Sequence, residues 1–171
     1  MKTFSRKNET KFFLLFILVL HFCCLSPLYS FQIQEKEGKL DFLKKYVGDR
    51  SHERLFADPS LKKSMRQMLK NEYKRLLDNI SVTSPVNLID GNLVISGNAP
   101  HKGDEERGII VIELYSGQIH VGFFSNGLIT IYSSEENYKY LPNSLIKWVD
   151  ECNAGFQLNE VKKPNNVRLL K

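Results

Sequence analysis

Residues 109–132, IIVIELYSGQIHVGFFSNGLITIY, decide the fold class of this 171-residue chain. Three short runs rich in isoleucine, valine and phenylalanine, 109–114, 119–124 and 128–132, are separated by the dipeptides Ser116-Gly117 and Asn126-Gly127. Such dipeptides between apolar runs are strong hairpin signals. Because parallel strands need a crossover of about a dozen residues, these short connections predict antiparallel neighbours.

A second hairpin precedes this stretch. Residues 86–96, VNLIDGNLVIS, divide at Asp90-Gly91 into the strands 86–89 and 92–96. A polar loop, residues 97–107, then leads to the strand at 109–114. The sequence therefore predicts an antiparallel, meander-like sheet of five strands.

A long helix is predicted before the sheet. Asp58 is a suitable N-cap and Pro59 fits the first helical position, where a missing N–H costs nothing. The apolar positions that follow have helical spacing: Leu61, Met65, Met68, Leu69, Tyr73, Leu76, Leu77 and Ile80. The opposite face is basic, and we interpret it as solvated, since no stacking aromatics or known motif accompany it for nucleic-acid binding.

Shorter helices are expected on either side. One lies near Leu40–Val47 and stops at Gly48, and another starts at Pro142 with Leu145 and Trp148 on its apolar face. Together these elements predict an α+β fold, with the five-stranded sheet packed against the long N-terminal helix and a short C-terminal helix. The expected divisions are 1–30, a signal peptide; 31–57, a lead-in; 58–158, one domain; and 159–171, a flexible basic tail.

The net charge points to export rather than to nucleic acid. Lys and Arg number 24 and Asp and Glu 19, which gives +5, but four of the basic residues precede an apolar run at 12–25. That run is too short to span a bilayer and is typical of a signal peptide, here with cleavage after Ser30. Without residues 1–30 the charge is 20 − 18 = +2. The expected location is the periplasm or the medium, and an uncleaved N-terminal anchor remains an alternative.

Cysteine usage agrees with a fold that needs no internal disulfide. Cys23 and Cys24 belong to the predicted signal peptide, so the mature chain keeps only Cys152. A single thiol either packs as a small apolar residue or forms an intermolecular disulfide and a homodimer.

Motifs for catalysis or metal binding are missing from the sequence. The mature histidines are His52, His101 and His120, and none belongs to a recognised zinc, phosphate-loop or nucleophile motif. Strand alternation predicts an ordinary surface or half-buried position for His120. We expect no enzyme, no cofactor and no metal.

The loop GNAPHKGDEER, residues 97–107, is the most informative polar segment, because loops on a rigid scaffold often carry function. A metal site from His101 and the acids that follow is one alternative. An enzyme with His101 as general base beside Asp104 or Glu105 is another. Both are disfavoured, since consecutive loop acids are usually solvated and no second histidine is near in sequence.

At this loop the chain resembles the bacterial lysozyme-inhibitor family called Ivy. That family carries a protruding loop of pattern Cys-x-Pro-His-x-Cys, matched here by Asn98-Ala99-Pro100-His101-Lys102-Gly103. The strands after the loop, GIIVIELY and QIHVGFF, are similar too. The resemblance implies that a c-type lysozyme is the partner. It also implies that the loop blocks the cleft of this muramidase through Asn98, Pro100, His101, Lys102 and Gly103.

The loop departs from the family pattern at both cysteines, which are replaced by Asn98 and Gly103. In the family a disulfide holds the loop in shape, and a loop without it loses more entropy on binding. This departure keeps an alternative open, namely an envelope or secreted interaction module of the same fold that binds another partner.

Overall fold

The structure is a computed structural model that describes residues 38–103, 105–153 and 164–171. The predicted signal peptide, 1–30, lies outside these residues. Within the described ranges no helix combines the length and the apolarity needed to cross a membrane.

One mixed sheet of seven strands forms the centre of the fold. Its strands are β1 (Val82–Thr83), β2 (Asn87–Ile89), β3 (Asn92–Asn98), β4 (Glu106–Glu113), β5 (Ile119–Ser125), β6 (Leu128–Tyr132) and β7 (Val167–Leu170). The order is β1-β3-β4-β5-β6-β7, and β2 pairs with β3 on the same edge as β1. The hairpin prediction is confirmed: Asp90-Gly91 and Asn126-Gly127 all have φ between 47° and 82°, as type I′ turns require.

The prediction of a purely antiparallel sheet of five strands was wrong at both edges. The two-residue β1 pairs antiparallel with Gly97 and Asn98 of β3, and β7 pairs parallel with β6. Residues 164–171 of the tail expected to be flexible therefore include an ordered strand, whose Val167 is only 2% exposed. Strands of two and four residues have too little periodicity to be recognised in sequence.

Four α-helices and two short 3₁₀ helices accompany the sheet. The α-helices are α1 (His52–Phe56), α2 (Pro59–Leu69), α3 (Glu72–Asn79) and α4 (Asn143–Cys152), and the 3₁₀ helices are Asp41–Tyr46 and Tyr138–Tyr140. The predicted cap is confirmed, because Asp58 Oδ1 accepts hydrogen bonds from the N–H groups of Ser60 and Leu61 at 3.0 and 3.1 Å.

The predicted long helix is interrupted at Lys70, which has φ 50° and separates α2 from α3. The apolar spacing continues through the break, from Leu69 to Tyr73 and Leu76, so periodicity gave no sign of it. After the break, α3 ends on the sheet: Asn79 Nδ2 donates to the carbonyl of Arg107 in β4 at 3.2 Å.

Two apolar clusters cover the two faces of the sheet, so the described fold has three layers. One joins the sheet to α1, α2, α3 and the first 3₁₀ helix, through residues such as Leu43, Leu55, Met65, Leu76, Ile95, Ile110 and Phe123. The other joins it to α4 and the second 3₁₀ helix, through Ile109, Val111, Ile129, Ile131, Tyr138, Leu145 and Trp148. Because β3 and β4 are covered on both sides, their central residues, 93–95 and 109–112, form continuous apolar runs.

Packing of α4 on the sheet depends on Gly122 in β5. A Cβ atom at this position would lie 2.8 Å from Trp148 Cζ3 and 2.8 Å from Ile109 Cγ2. Because Gly122 has no side chain, the indole of Trp148 can pack directly on β5. This contact positions α4 beside the ends of β3 and β4.

Candidate functional site

The loop that carries His101 joins two long paired strands. In the register of β3 and β4, Asn98 lies opposite Arg107, and Ala99 N–H donates to the carbonyl of Glu106 at 3.0 Å. The free loop therefore comprises only residues 99–105, fewer than the predicted 97–107, since Gly97 and Asn98 belong to β3 and Glu106 and Arg107 to β4.

Turns fix the tip of the loop. Lys102 N–H donates to the carbonyl of Ala99 at 3.1 Å, and the carbonyl of Lys102 accepts from Glu105 N–H and Glu106 N–H at 3.0 and 2.8 Å. His101 has φ 60°, a left-handed conformation that histidine adopts more readily than most residues. Pro100, His101 and Lys102 are exposed, so the loop presents these three side chains to the solvent.

Asn98 and Gly103, the positions of the family's cysteines, lie side by side at the base of this tip. A Cβ atom on Gly103 would be 3.3 Å from Asn98 Nδ2 and 3.6 Å from Asn98 Cγ. Asn98 Cβ itself lies more than 4 Å from this position, whereas the two Cβ atoms of a disulfide lie about 3.5–4.5 Å apart. The two positions that match the family's cysteines in the sequence pattern are therefore neighbours at the base of the loop.

Arg107 holds the base of the loop from inside. Its Nε donates to the carbonyl of Gly103 at 2.6 Å, and its guanidinium lies over the ring of Phe124 with Cζ 5.9 Å from the centroid. The same guanidinium lies near the thiol of Cys152 in α4. Burial raises the pKa of that thiol to about 11, and Arg107 offsets only part of the effect.

The neighbouring Glu106 ties the loop stem to the rest of the sheet. Its carboxylate accepts hydrogen bonds from Ser125 Oγ at 2.7 Å and Asn79 Nδ2 at 3.3 Å, and Arg75 Nη2 lies 3.5 Å away. Burial by itself raises the pKa of Glu106, but these hydrogen bonds and the Arg75 charge outweigh it and lower the pKa. Glu106 is thus an internal tie, whereas Glu105 is exposed.

A groove of about 470 Å³ lies beside the loop base, lined among others by Asn98, Gly103, Arg107, Trp148 and Glu151. No sequence motif had indicated a role at this site for Arg107, Trp148 or Glu151. For Arg107 the pairing of the predicted strands was the available signal, because it places residue 107 opposite residue 98. Trp148 and Glu151 come from α4, and the position of this helix is defined only by its packing on the sheet.

Neither a metal site at His101 nor a role for His101 as general base receives support from the geometry. Among the residues the structure describes, which exclude Asp104, no three His, Cys, Asp or Glu side chains are grouped to hold a metal ion. No hydrogen bond or ion pair joins the His101 side chain to another described residue.

The expected surface or half-buried position of His120 was wrong, because its side chain is 0% exposed. It shares the face of Val111, which α4 covers, and contacts Glu113 Oε1 through Nε2 at 2.9 Å and Ser133 Oγ through Nδ1 at 2.7 Å. With Nε2 protonated, it donates to Glu113 and accepts from Ser133, so every group is paired. Ser133 is only 2% exposed, and this serine–histidine–glutamate set is a structural network inside the fold.

Comparison with curated proteins gives no match, and comparison with solved structures gives none either. A protein-family model does match, over residues 60–155, and its description is inhibitor of vertebrate lysozyme (Ivy). This region includes α2, α3, strands β1 to β6, α4 and the whole His101 loop. The match spans more than half of the chain, and the family that it identifies is an inhibitor family rather than an enzyme family. The chain belongs to the Ivy family of lysozyme inhibitors.

Proposed function

We propose that this chain is an exported inhibitor that inserts the loop Asn98–Gly103 into the active-site cleft of a lysozyme-type muramidase. The observation that carries the proposal is His101, exposed at the tip of a short loop with a hydrogen-bonded base, in a chain of the Ivy family. Asn98 and Gly103 form the base of this binding loop, and Pro100, His101 and Lys102 form its contact surface.

The chemistry of the target fits such a tip. Glycosidases of this class cleave the bond between two flanking carboxyl groups. An imidazole is small enough to enter between them and offers hydrogen bonds to both sides, while the adjacent Lys102 carries a positive charge toward an acidic cleft. Because the hydrogen bonds at Ala99 and Lys102 already form turns in the free loop, part of the ordering entropy is lost before binding.

Contacts at the rim follow the charges of the loop. Glu105 is exposed and available to basic residues around the cleft of a cationic lysozyme, an effect mainly on the association rate. Glu106 is excluded from this role, since its carboxylate already accepts from Ser125 and Asn79. The rim contribution therefore falls to Glu105 and to Asp104, the acid just before it in sequence.

A cell-wall lysis assay tests the proposal. The purified chain without residues 1–30 should slow lysis by a c-type lysozyme at micromolar concentration. His101→Ala should weaken inhibition by about tenfold or more. His101→Asn is the matched control for the backbone, because asparagine tolerates φ 60° but lacks the imidazole. Equal inhibition by all three proteins would contradict a role for His101.

The alternative, an interaction module of the same fold with another partner, rests on the two missing cysteines. It predicts no inhibition by the unmodified protein, and recovery from envelope extract of a bound protein that is not a lysozyme. Export is tested separately, by mass spectrometry of the mature chain after expression with its own N-terminus. A start at Phe31 supports cleavage after Ser30, and an intact Met1 supports an uncleaved anchor.

A further inference from the structure

The helical layer contains a cleft of about 510 Å³ between α1, α2 and α3. Each helix contributes a pair of residues four apart, which helical geometry places on one face. The pairs are His52 and Phe56 from α1, Lys62 and Arg66 from α2, and Tyr73 and Leu77 from α3. The volume is in the range of small-molecule sites, about 300–1,000 Å³.

The cleft is positively charged. Lys62 and Arg66 are exposed and form no ion pair with any residue in the described ranges, and Glu53 is the one carboxylate among the lining side chains. Arg66 lies over the ring of Tyr73, with its Cζ 5.4 Å from the centroid. That contact holds the guanidinium at the cleft wall, and no side chain in the described part of the sequence accepts a hydrogen bond from its N–H groups.

His52 adds an unused hydrogen-bonding atom. Its Nδ1 is buried without a partner among the described residues, and its ring lies 5.3 Å from that of Phe56. A buried polar atom of this kind is costly unless it is paired. Burial also lowers the pKa of His52, which disfavours a further positive charge at this ring.

We propose that this cleft binds an amphipathic oxyanion, a carboxylate or phosphate group attached to an apolar body. The anionic oxygens lie on Arg66 and Lys62, since the planar guanidinium donates two parallel N–H hydrogen bonds to either a carboxylate or a phosphate group. The apolar body packs on Phe56, Leu77 and the ring of His52. The site involves no residue of the His101 loop.

NMR titration of the isotope-labelled chain tests the site with four probes: octanoate, octyl phosphate, inorganic phosphate and octylamine. Octanoate or octyl phosphate should bind saturably, with a dissociation constant below about 1 mM, and should shift signals from α1, α2 and α3. Binding of octanoate alone identifies a carboxylate ligand, and binding of octyl phosphate alone a phosphate ligand. Inorganic phosphate, which lacks the apolar body, should bind about tenfold more weakly.

Matched variants locate the site. Arg66→Ala should weaken binding by about tenfold or more. Lys63→Ala removes the same charge next to Lys62 but outside the cleft lining, and it should change binding by less than about twofold. Both residues are exposed, so both variants should fold, as a thermal melt would verify. Equal effects of the two variants, binding of octylamine as strong as that of octanoate, or no saturation by either anionic amphiphile would overturn the proposal.

Discussion

Arg107 connects the proposed binding loop with the sheet and with the C-terminal helix. Its guanidinium bonds the carbonyl of Gly103, covers Phe124 and lies beside Cys152. This one side chain fixes the loop base from within the fold, where the resemblance to the Ivy family had implied a disulfide that this chain lacks. The pairing of the predicted strands places residue 107 opposite residue 98, but the contacts of its side chain could not be predicted, because its partners lie in three separate parts of the chain.

The environment of Cys152 leads to a prediction about its reactivity. Its pKa of about 11, against an ordinary value of 9.0, reduces the thiolate fraction at pH 8 by about 100-fold. Since the thiolate is the reactive form, iodoacetamide should label Cys152 far more slowly in the native chain than in urea. Peptide-resolved mass spectrometry measures both rates.

The same thiol decides between the two expectations for Cys152. A slowly reacting, half-buried thiol agrees with a packed small residue and with a mature chain that remains monomeric on a non-reducing gel. Rapid native labelling together with a covalent dimer band would instead establish the intermolecular disulfide.

At the scale of elements, the β3–β4 hairpin is the frame of the proposed binding loop. Its register brings residue 98 opposite residue 107, and the turns of residues 99–106 fold Gly103 back against Asn98. The hairpin was foreseen from two apolar runs, although each strand extends beyond its predicted bounds. The extra residues, Gly97, Asn98, Glu106 and Arg107, are polar or small and gave no apolar signal.

This geometry predicts that the family's disulfide can be installed. The double variant Asn98→Cys with Gly103→Cys should oxidise spontaneously, because a Cβ at residue 103 lies 3.6 Å from Asn98 Cγ. Closing so short a loop should raise the free energy of unfolding by up to about 2 kcal/mol. It should also strengthen lysozyme inhibition, since less loop entropy is lost on binding.

Thiol titration and urea unfolding, with and without reductant, measure this effect. The single variant Asn98→Cys is the control for side-chain loss alone. A double variant that stays reduced in air, or that unfolds at the same urea concentration in both redox states, would contradict the proposed proximity.

Across the whole molecule, Glu106 links the helical layer to two strands at the loop stem. Hydrogen bonds from Ser125 and Asn79 and the Arg75 charge hold its pKa below the ordinary 4.5 despite partial burial. A carboxyl group with a lowered folded-state pKa stabilises the protein above its unfolded-state pKa and loses that contribution as the pH falls through the folded-state value.

Glu106→Gln should therefore cost about 1–2 kcal/mol of unfolding free energy at pH 7. The difference from the unchanged protein should shrink as the pH falls below about 4.5. Urea unfolding at pH 7 and at pH 3 measures it. Ser125→Ala, which removes one donor, should move the acid transition to higher pH, and a pH-independent difference for Glu106→Gln would contradict the role assigned to this carboxylate.

The sequence by itself determined the α+β class, the three turns, the cap at Asp58 and the position of the His101 loop. Each of these features depends on residues that are close together in sequence. Apolar periodicity, turn dipeptides and a capping side chain all involve interactions across only a few positions. Periodicity could not reveal the break at Lys70, because the apolar stripe continues through it.

Only the tertiary structure decided which strands form the edges of the sheet and which polar side chains lie in the interior of the fold. The parallel strand β7 is held on β6 because Val167 packs into the apolar cluster between α4 and the sheet, whose other residues are distant in sequence. His120 is buried because α4 covers a face that alternation alone assigned to the surface. The cleft between α1, α2 and α3 and the Arg107 contacts likewise depend on packing, since the groups that meet there come from separate elements.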